Sequence, residues 1–178
     1  MASPQSLSES DRRLVAAWAA DCAERVLALF ESEAPEDDRP RDAIARARAF
    51  ARGDLTAAGE IKRRFTAGRA AHSATTPAGV AAARSAAQAS GVAHMGAHAL
   101  GAAAYAAKAA GLAAGRPEAV TAELDWQVEY MSDAVAAALR RLPLLGEDSA
   151  GPLGSGLLAS GDLGRNITTL QRRLHEMP

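Results

Sequence analysis

The sequence predicts an all-α fold: a single-domain bundle of about six closely packed, alanine-rich helices, followed by a C-terminal linker and a short helix. Three observations carry this prediction. About a quarter of the 178 residues are alanine, the best helix former and a side chain of little volume. Aromatic residues make up only 4%, so few large side chains stand between neighbouring helices. Apolar residues recur at intervals of three and four, and no alternating stretch of useful length points to a strand. With 48% hydrophobic and 23% charged residues, the chain has the composition of a soluble globular domain long enough to bury a core.

The first predicted helix runs over about 9–31. Ser8 is its N-cap with Asp11 three residues on, and Leu14, Trp18, Cys22, Val26 and Leu29 form its apolar line. The acidic stretch through Pro35 and Asp38 ends it. A second helix starts near Pro40, a favoured first-turn residue, carries Ile44, Ala47 and Ala51 on one face, and closes at Gly53. Asp54 is the expected cap of a third, with Leu55, Ala58, Ile61, Phe65, Gly68 and His72 facing inward. Thr76-Pro77 restarts the chain into a fourth. Gly91 either divides the fourth helix from the fifth or kinks one long helix, and spacing alone leaves both open. Gly111, Gly115 and Pro117 mark the next turn. A sixth helix follows over about 118–141, with Leu124, Val128, Met131, Val135 and Leu139 on a bundle seam. Residues 1–143 form the expected bundle domain. Residues 144–178 hold a Gly/Ser-rich linker and a short amphipathic helix bearing Ile167, Leu170 and Leu174, able to dock on the bundle, dock on another subunit or fray.

A net charge of −1 gives no global field that would steer the chain to nucleic acid or a membrane surface, and neither is an expected partner. Residues 9–38 lean acidic and 39–69 lean basic, with Lys62-Arg63-Arg64 in a row. Asp42, Asp54 and Glu60 interleave that basic stretch and no aromatic ring stacks within it, so a solvated helix face is expected. The single cysteine, Cys22, excludes an intramolecular disulfide and a cysteine-cluster metal site; on its apolar line it reads as a buried, inert thiol. No apolar run approaches the roughly 20 residues of a membrane span and no apolar leader core is seen, so a cytoplasmic location is expected.

His94 and His98 are two of only four histidines, four residues apart in a segment of alanine and glycine. On one continuous helix they would share a face, in line with Gly91, Gly101, Tyr105 and Lys108. Such a pair chelates a metal when other helices supply further ligands, for which Asp21, Asp125 and Glu129 are candidates. No Glu-x-x-His or His-Glu-x-x-His motif accompanies it, which favours two other readings: histidines hydrogen-bonded across a close helix contact, or a ligand pocket without metal. No cofactor is expected. Asp21 either pairs locally with Arg25 or orients an imidazole of His72, His94 or His98, with Trp18 as an apolar wall and N–H donor. Trp126, Tyr130 and Asp133 share a second face of the sixth helix, as packing against the first helix or tail, or as a partner surface. His72 reads as a satisfied core residue and His175 as solvated. No Ser-His-Asp order, phosphate loop or dinucleotide fingerprint is present.

Several of these runs occur together in a known pattern. Trp18-Ala19-Ala20-Asp21-Cys22 with Glu24-Arg25-Val26-Leu27 and Phe30-Glu31 opens it, followed by Asp38-Arg39-Pro40-Arg41, Ala43-Ile44 and Ala47-Arg48-Ala49-Phe50-Ala51-Arg52-Gly53. Ala71-His72, Ala93-His94, His98-Ala99, Ala103-Ala104-Tyr105-Ala106 and Glu123-Leu124-Asp125-Trp126-Gln127 continue it. Over roughly 10–143 the chain resembles the bacterial immunity-protein-five-like family of polymorphic toxin systems. The resemblance implies a compact all-α protein that binds a cognate toxin and so needs an interface rather than an active site. The tail from Leu144 to Pro178 departs from the pattern.

The expected function is therefore that of a non-enzymatic binding protein resembling a toxin-neutralising immunity protein. Its acidic stretch, Glu31 to Asp38, would complement a basic, nuclease-type toxin. The alternative is a small-molecule-binding protein or biosynthetic enzyme with an interhelical pocket of Trp18, Asp21, His72, His94, His98, Tyr105, Asp125 and Trp126. In that case His94, His98 and Asp21 would do acid–base work, or the two histidines would bind a metal. A further possibility is a homo-oligomer formed through the C-terminal segment.

Overall fold

The computed structural model describes residues 3–63 and 65–178, and among them helix follows helix with no strand. In order come α1 (Glu9–Glu31), α2 (Arg39–Arg52), α3 (Ala57–Arg63), α4 (Thr66–Ala70), α5 (Pro77–Gly91), α6 (His98–Ala114), α7 (Pro117–Glu129), α8 (Asp133–Leu139) and α9 (Gly161–Glu176). Eight helices thus precede the tail helix where the sequence pattern gave six. Arg64, the last of the predicted basic run, lies outside the described residues. No described helix is long and apolar enough to cross a membrane.

The helix starts and stops follow local chemistry. Ser8 accepts the Asp11 N–H at 3.0 Å and Thr76 accepts the Gly79 N–H at 3.1 Å, each satisfying an orphan donor of the first turn. Gly53 and Gly115 end α2 and α6 at φ +90° and +65°, a backbone state that glycine enters without a Cβ clash.

Two predicted helices are broken, and the choice left open at Gly91 is settled as a division. The third becomes α3, α4 and a 3₁₀ turn, Ala71–Ser73, in a stretch weakened by Gly59, Thr66 and Gly68. Asp54 does not cap it: Asp54 pairs with Arg52 at 2.9 Å, and the Thr56 hydroxyl accepts the Gly59 N–H instead. The sixth splits into α7 and α8 because Ser132 takes up the Val135 N–H and starts a new helix. At Gly91 the chain divides. The amides of Gly96 and Ala97 leave the helix and donate to the Ser6 and Gln5 carbonyls, both at 3.0 Å, while Leu7 packs on Gly96. His94 therefore lies in a turn and His98 begins α6, so the two histidines do not share one helix.

α6 is the axis of the bundle, packed by α5, α1, α7 and α9. Residues 99–107 are buried without interruption, as a helix apolar on every side should be. Alanine and glycine make this possible, since neighbours approach the axis closely when side chains are small. Three consecutive α6 carbonyls also accept side-chain bonds from three helices. Ser85 of α5 donates to Ala102, Gln127 of α7 to Ala103, and Asn166 of α9 to Ala104, at 2.7, 3.0 and 3.1 Å. The Ser85 hydroxyl and the amide nitrogens of Gln127 and Asn166 are thereby partnered and each neighbour is fixed in register, while the buried Gln127 Oε1 has no partner among the described residues.

The tail packs on this frame. Leu163, Ile167, Leu170 and Leu174 of α9 are buried, so the face left free by the sequence pattern is covered within the chain, against α6 and α7. The Gly/Ser-rich stretch before it is tied down by the buried Gln5, which donates to Asp148 and Ala150 and accepts the Leu153 N–H at 2.9 Å.

Candidate functional site

The reversal between α5 and α6 turns the histidine segment outward. His94 is exposed, and the ring of His98 lies flat on the Gly91 backbone: a Cβ at Gly91 would stand 3.0 Å from its Cγ and Cδ2. Its Nδ1–H donates to the Gln88 carboxamide oxygen at 2.8 Å. That carboxamide rests on Gly101, where a Cβ would come within 2.9 Å of Gln88 Cδ and 3.1 Å of Leu158 Cδ1. Gly91 and Gly96 thus make room for the side chains of His98 and Leu7, and Gly101 for those of Gln88 and Leu158. Burial, reinforced by the nearby His94, pushes the His98 pKa down to about 4, so the ring is neutral at physiological pH. With Nδ1 protonated, Nε2 is its acceptor.

Around this pair lies an open groove of about 690 Å³ between α4, α5, the head of α6 and the 3₁₀ turn Leu157–Ala159. His72, His94, His98 and Tyr105 all line it. Tyr105 is largely buried, which pushes its hydroxyl pKa up against the opposing pull of the Arg84 guanidinium, and it stays a neutral phenol. Arg69 and Arg84 supply the charge. No Asp or Glu lines the groove, and neither guanidinium has a carboxylate partner among the described residues. Phe65 and Leu157 stand at its mouth, 63% and 68% exposed. His72, expected in the core, is an exposed groove residue instead, because the 3₁₀ turn carries it outward.

The other expected site residues lie elsewhere. Trp18 is buried and its indole N–H donates to the Gln127 carbonyl at 2.9 Å, joining α1 to α7. Asp21 is exposed and pairs with Arg48 of α2 at 2.7 Å, not with Arg25 and not with a histidine. Arg25 reaches the buried Glu123 through two hydrogen bonds, 2.8 and 3.1 Å, and covers the Trp126 ring at 3.9 Å. Trp126 stacks on Tyr130 at 4.9 Å between ring centres, and Asp125 pairs with Arg173 of α9 at 2.5 Å. Cys22 is buried, with its thiol pKa pushed up by burial and by the nearby Glu123 and Asp21 carboxylates. Among the described residues no three His, Cys, Asp or Glu side chains are placed to hold a metal ion.

Three of the five carboxylates over 31–38 are held by their surroundings, while Glu36 and Asp38 are exposed and no ion pair holds them among the described residues. Glu31 forms two bonds with Arg41, both 2.7 Å, and Asp37 binds Arg39 and Ser73. Glu33 receives the amides and hydroxyls of Thr75 and Thr76, and those bonds lower its pKa to about 2.

Arg69, Arg84, Gln88, Phe65 and Leu157 were not marked as site residues by sequence pattern. The two arginines line one groove with no acid beside them among the described residues, a property of the folded surface rather than of spacing. Leu157 sat in an expected linker.

A family model described as "Imm-5 like putative immunity protein" matches residues 5–134 of the 178. No curated protein and no solved structure matches the chain. The matched span runs from the N-terminal segment into α8 and holds every groove residue except Leu157. The chain belongs to the Imm-5-like immunity protein family.

Proposed function

We propose that this protein binds a toxin and blocks it, acting through an interface rather than through chemistry of its own. The observation that carries this reading is the open groove on a chain of this family. It presents two large apolar side chains beside two guanidiniums that have no acid partner among the described residues, the composition of a binding hot spot with its polar flank. Co-expression with each neighbouring toxin gene, followed by growth measurement and co-purification, tests it. Rescue by one gene pair with recovery of the complex is the expected result. If no neighbour is toxic, or none is bound, the proposal fails.

One observation favours a second reading, binding or turnover of a small molecule: His98 is held neutral beside a cavity, with Nε2 as a base. It lacks the carboxylate that would tune such a base, since Asp21 is engaged by Arg48. A metabolite recovered from the purified protein, lost on replacing His98, would support this reading over the first.

A further inference from the structure

We infer that the groove takes an acidic segment of the toxin carrying an apolar side chain, with Arg69 and Arg84 pairing its carboxylates and Phe65 and Leu157 holding the apolar group. This rests on the toxin-binding reading above and names the surface and the chemistry of its partner.

Charge complementarity selects the occupant. Most of the other described arginines hold acids: Arg25 holds Glu123, Arg41 holds Glu31, Arg46 holds Glu60, and Arg48 holds both Asp21 and Glu24. At the groove two guanidiniums face a common cavity with no acid on any wall. A guanidinium offers a planar fork of donors that fits a carboxylate bidentately, so a partner bringing carboxylates meets two ready sites. A basic partner would be repelled there.

The apolar rim selects a peptide segment over a free small anion. Phe65 and Leu157 stand outward at the mouth, where a small anion on the arginines would leave them wet. A chain crossing the groove covers them and the charges together. Leu157 also comes from the tail beyond the family match, so this part of the rim is supplied by the chain's own extension. The tail would thereby shape which toxin fits.

The test has two arms, both on the full chain. In the first, amide spectra of the protein are recorded with an acetylated hexapeptide of alternating Glu and Phe, and with a Lys–Phe hexapeptide as control. Shifts around Arg69, Gln88, His94 and Leu157 with the acidic peptide alone, lost in the Arg69→Glu/Arg84→Glu double variant, are expected. Shifts elsewhere on the surface overturn the inference. So do equal effects of citrate or inorganic phosphate that leave Phe65 and Leu157 unmoved, which would mark a small-anion site. In the second arm the toxin recovered by co-purification is titrated. The double variant should bind at least 100-fold more weakly and Leu157→Ser about 10-fold more weakly, both with unchanged thermal midpoints. Wild-type affinity in the double variant overturns this inference and leaves the toxin-binding reading standing. If no toxin binds even the wild-type chain, the toxin-binding reading falls first and this inference with it.

Discussion

The acidic stretch after α1 and the groove at the head of α6 invert what their sequences advertise. The stretch over 31–38 is dense in carboxylates, yet Glu31, Glu33 and Asp37 are each held by arginine, threonine or serine from α2 and the 70s turn. The groove is built on a bland run of alanine and glycine, yet it presents two guanidiniums without acids and two exposed apolar side chains. Charge becomes available to a partner only where the fold leaves it uncompensated. Counting charges along the chain does not show which of them the fold leaves without a partner.

Closed clusters should answer to mutation as structure, and the largest effect is expected where a buried acid loses its partner. Arg25→Ala strands Glu123 and uncovers Trp126, and should cost about 3 kcal/mol in urea unfolding, since a buried carboxylate is left unpaired. A cost near zero would mean that the α1–α7 clamp is not closed. Next comes Gly101→Ala, whose methyl displaces Gln88 and crowds Leu158. About 2 kcal/mol is expected from overpacking, with loss of the His98 Nδ1 hydrogen bond in ring-nitrogen spectra. Gly101→Ala with unchanged stability would show that the seat of Gln88 is loose.

A smaller effect follows from His98 itself. Its folded pKa of about 4 lies below the ordinary 6.5, so between these values the unfolded chain binds the extra proton. Its contribution to stability is complete above about pH 6.5 and falls away as the pH drops toward 4, amounting to a loss of about 1 kcal/mol by about pH 5.5. His98→Asn should flatten that part of the curve. A slope unchanged by the substitution would assign the titration to other groups.

Much of the helical frame was legible, because it is written in neighbouring residues. Ser8, Thr76, Gly53 and Gly115 act within a few positions of themselves, and each starts or ends a helix as read. The division at Gly91 was not legible. Its freed amides depend on the carbonyls of Gln5 and Ser6, some ninety residues away in sequence. The same is true of the site. His94, His98, His72 and Tyr105 do meet in one groove, but Asp21 had two arginines to choose between and took Arg48 from another helix. Helical spacing ranks partners on one element and is silent about partners across elements.

The comparison between the two regions comes down to one titration of the co-purified toxin. It is run against wild type, against Arg69→Glu/Arg84→Glu in the groove, and against Glu36→Lys/Asp38→Lys in the acidic stretch. The groove variant should lose at least about 2.7 kcal/mol of binding, a hundredfold, while the acidic-stretch variant stays within about twofold. A hundredfold loss in the acidic-stretch variant, with the groove variant binding as wild type, would place recognition on the acidic stretch and contradict the account.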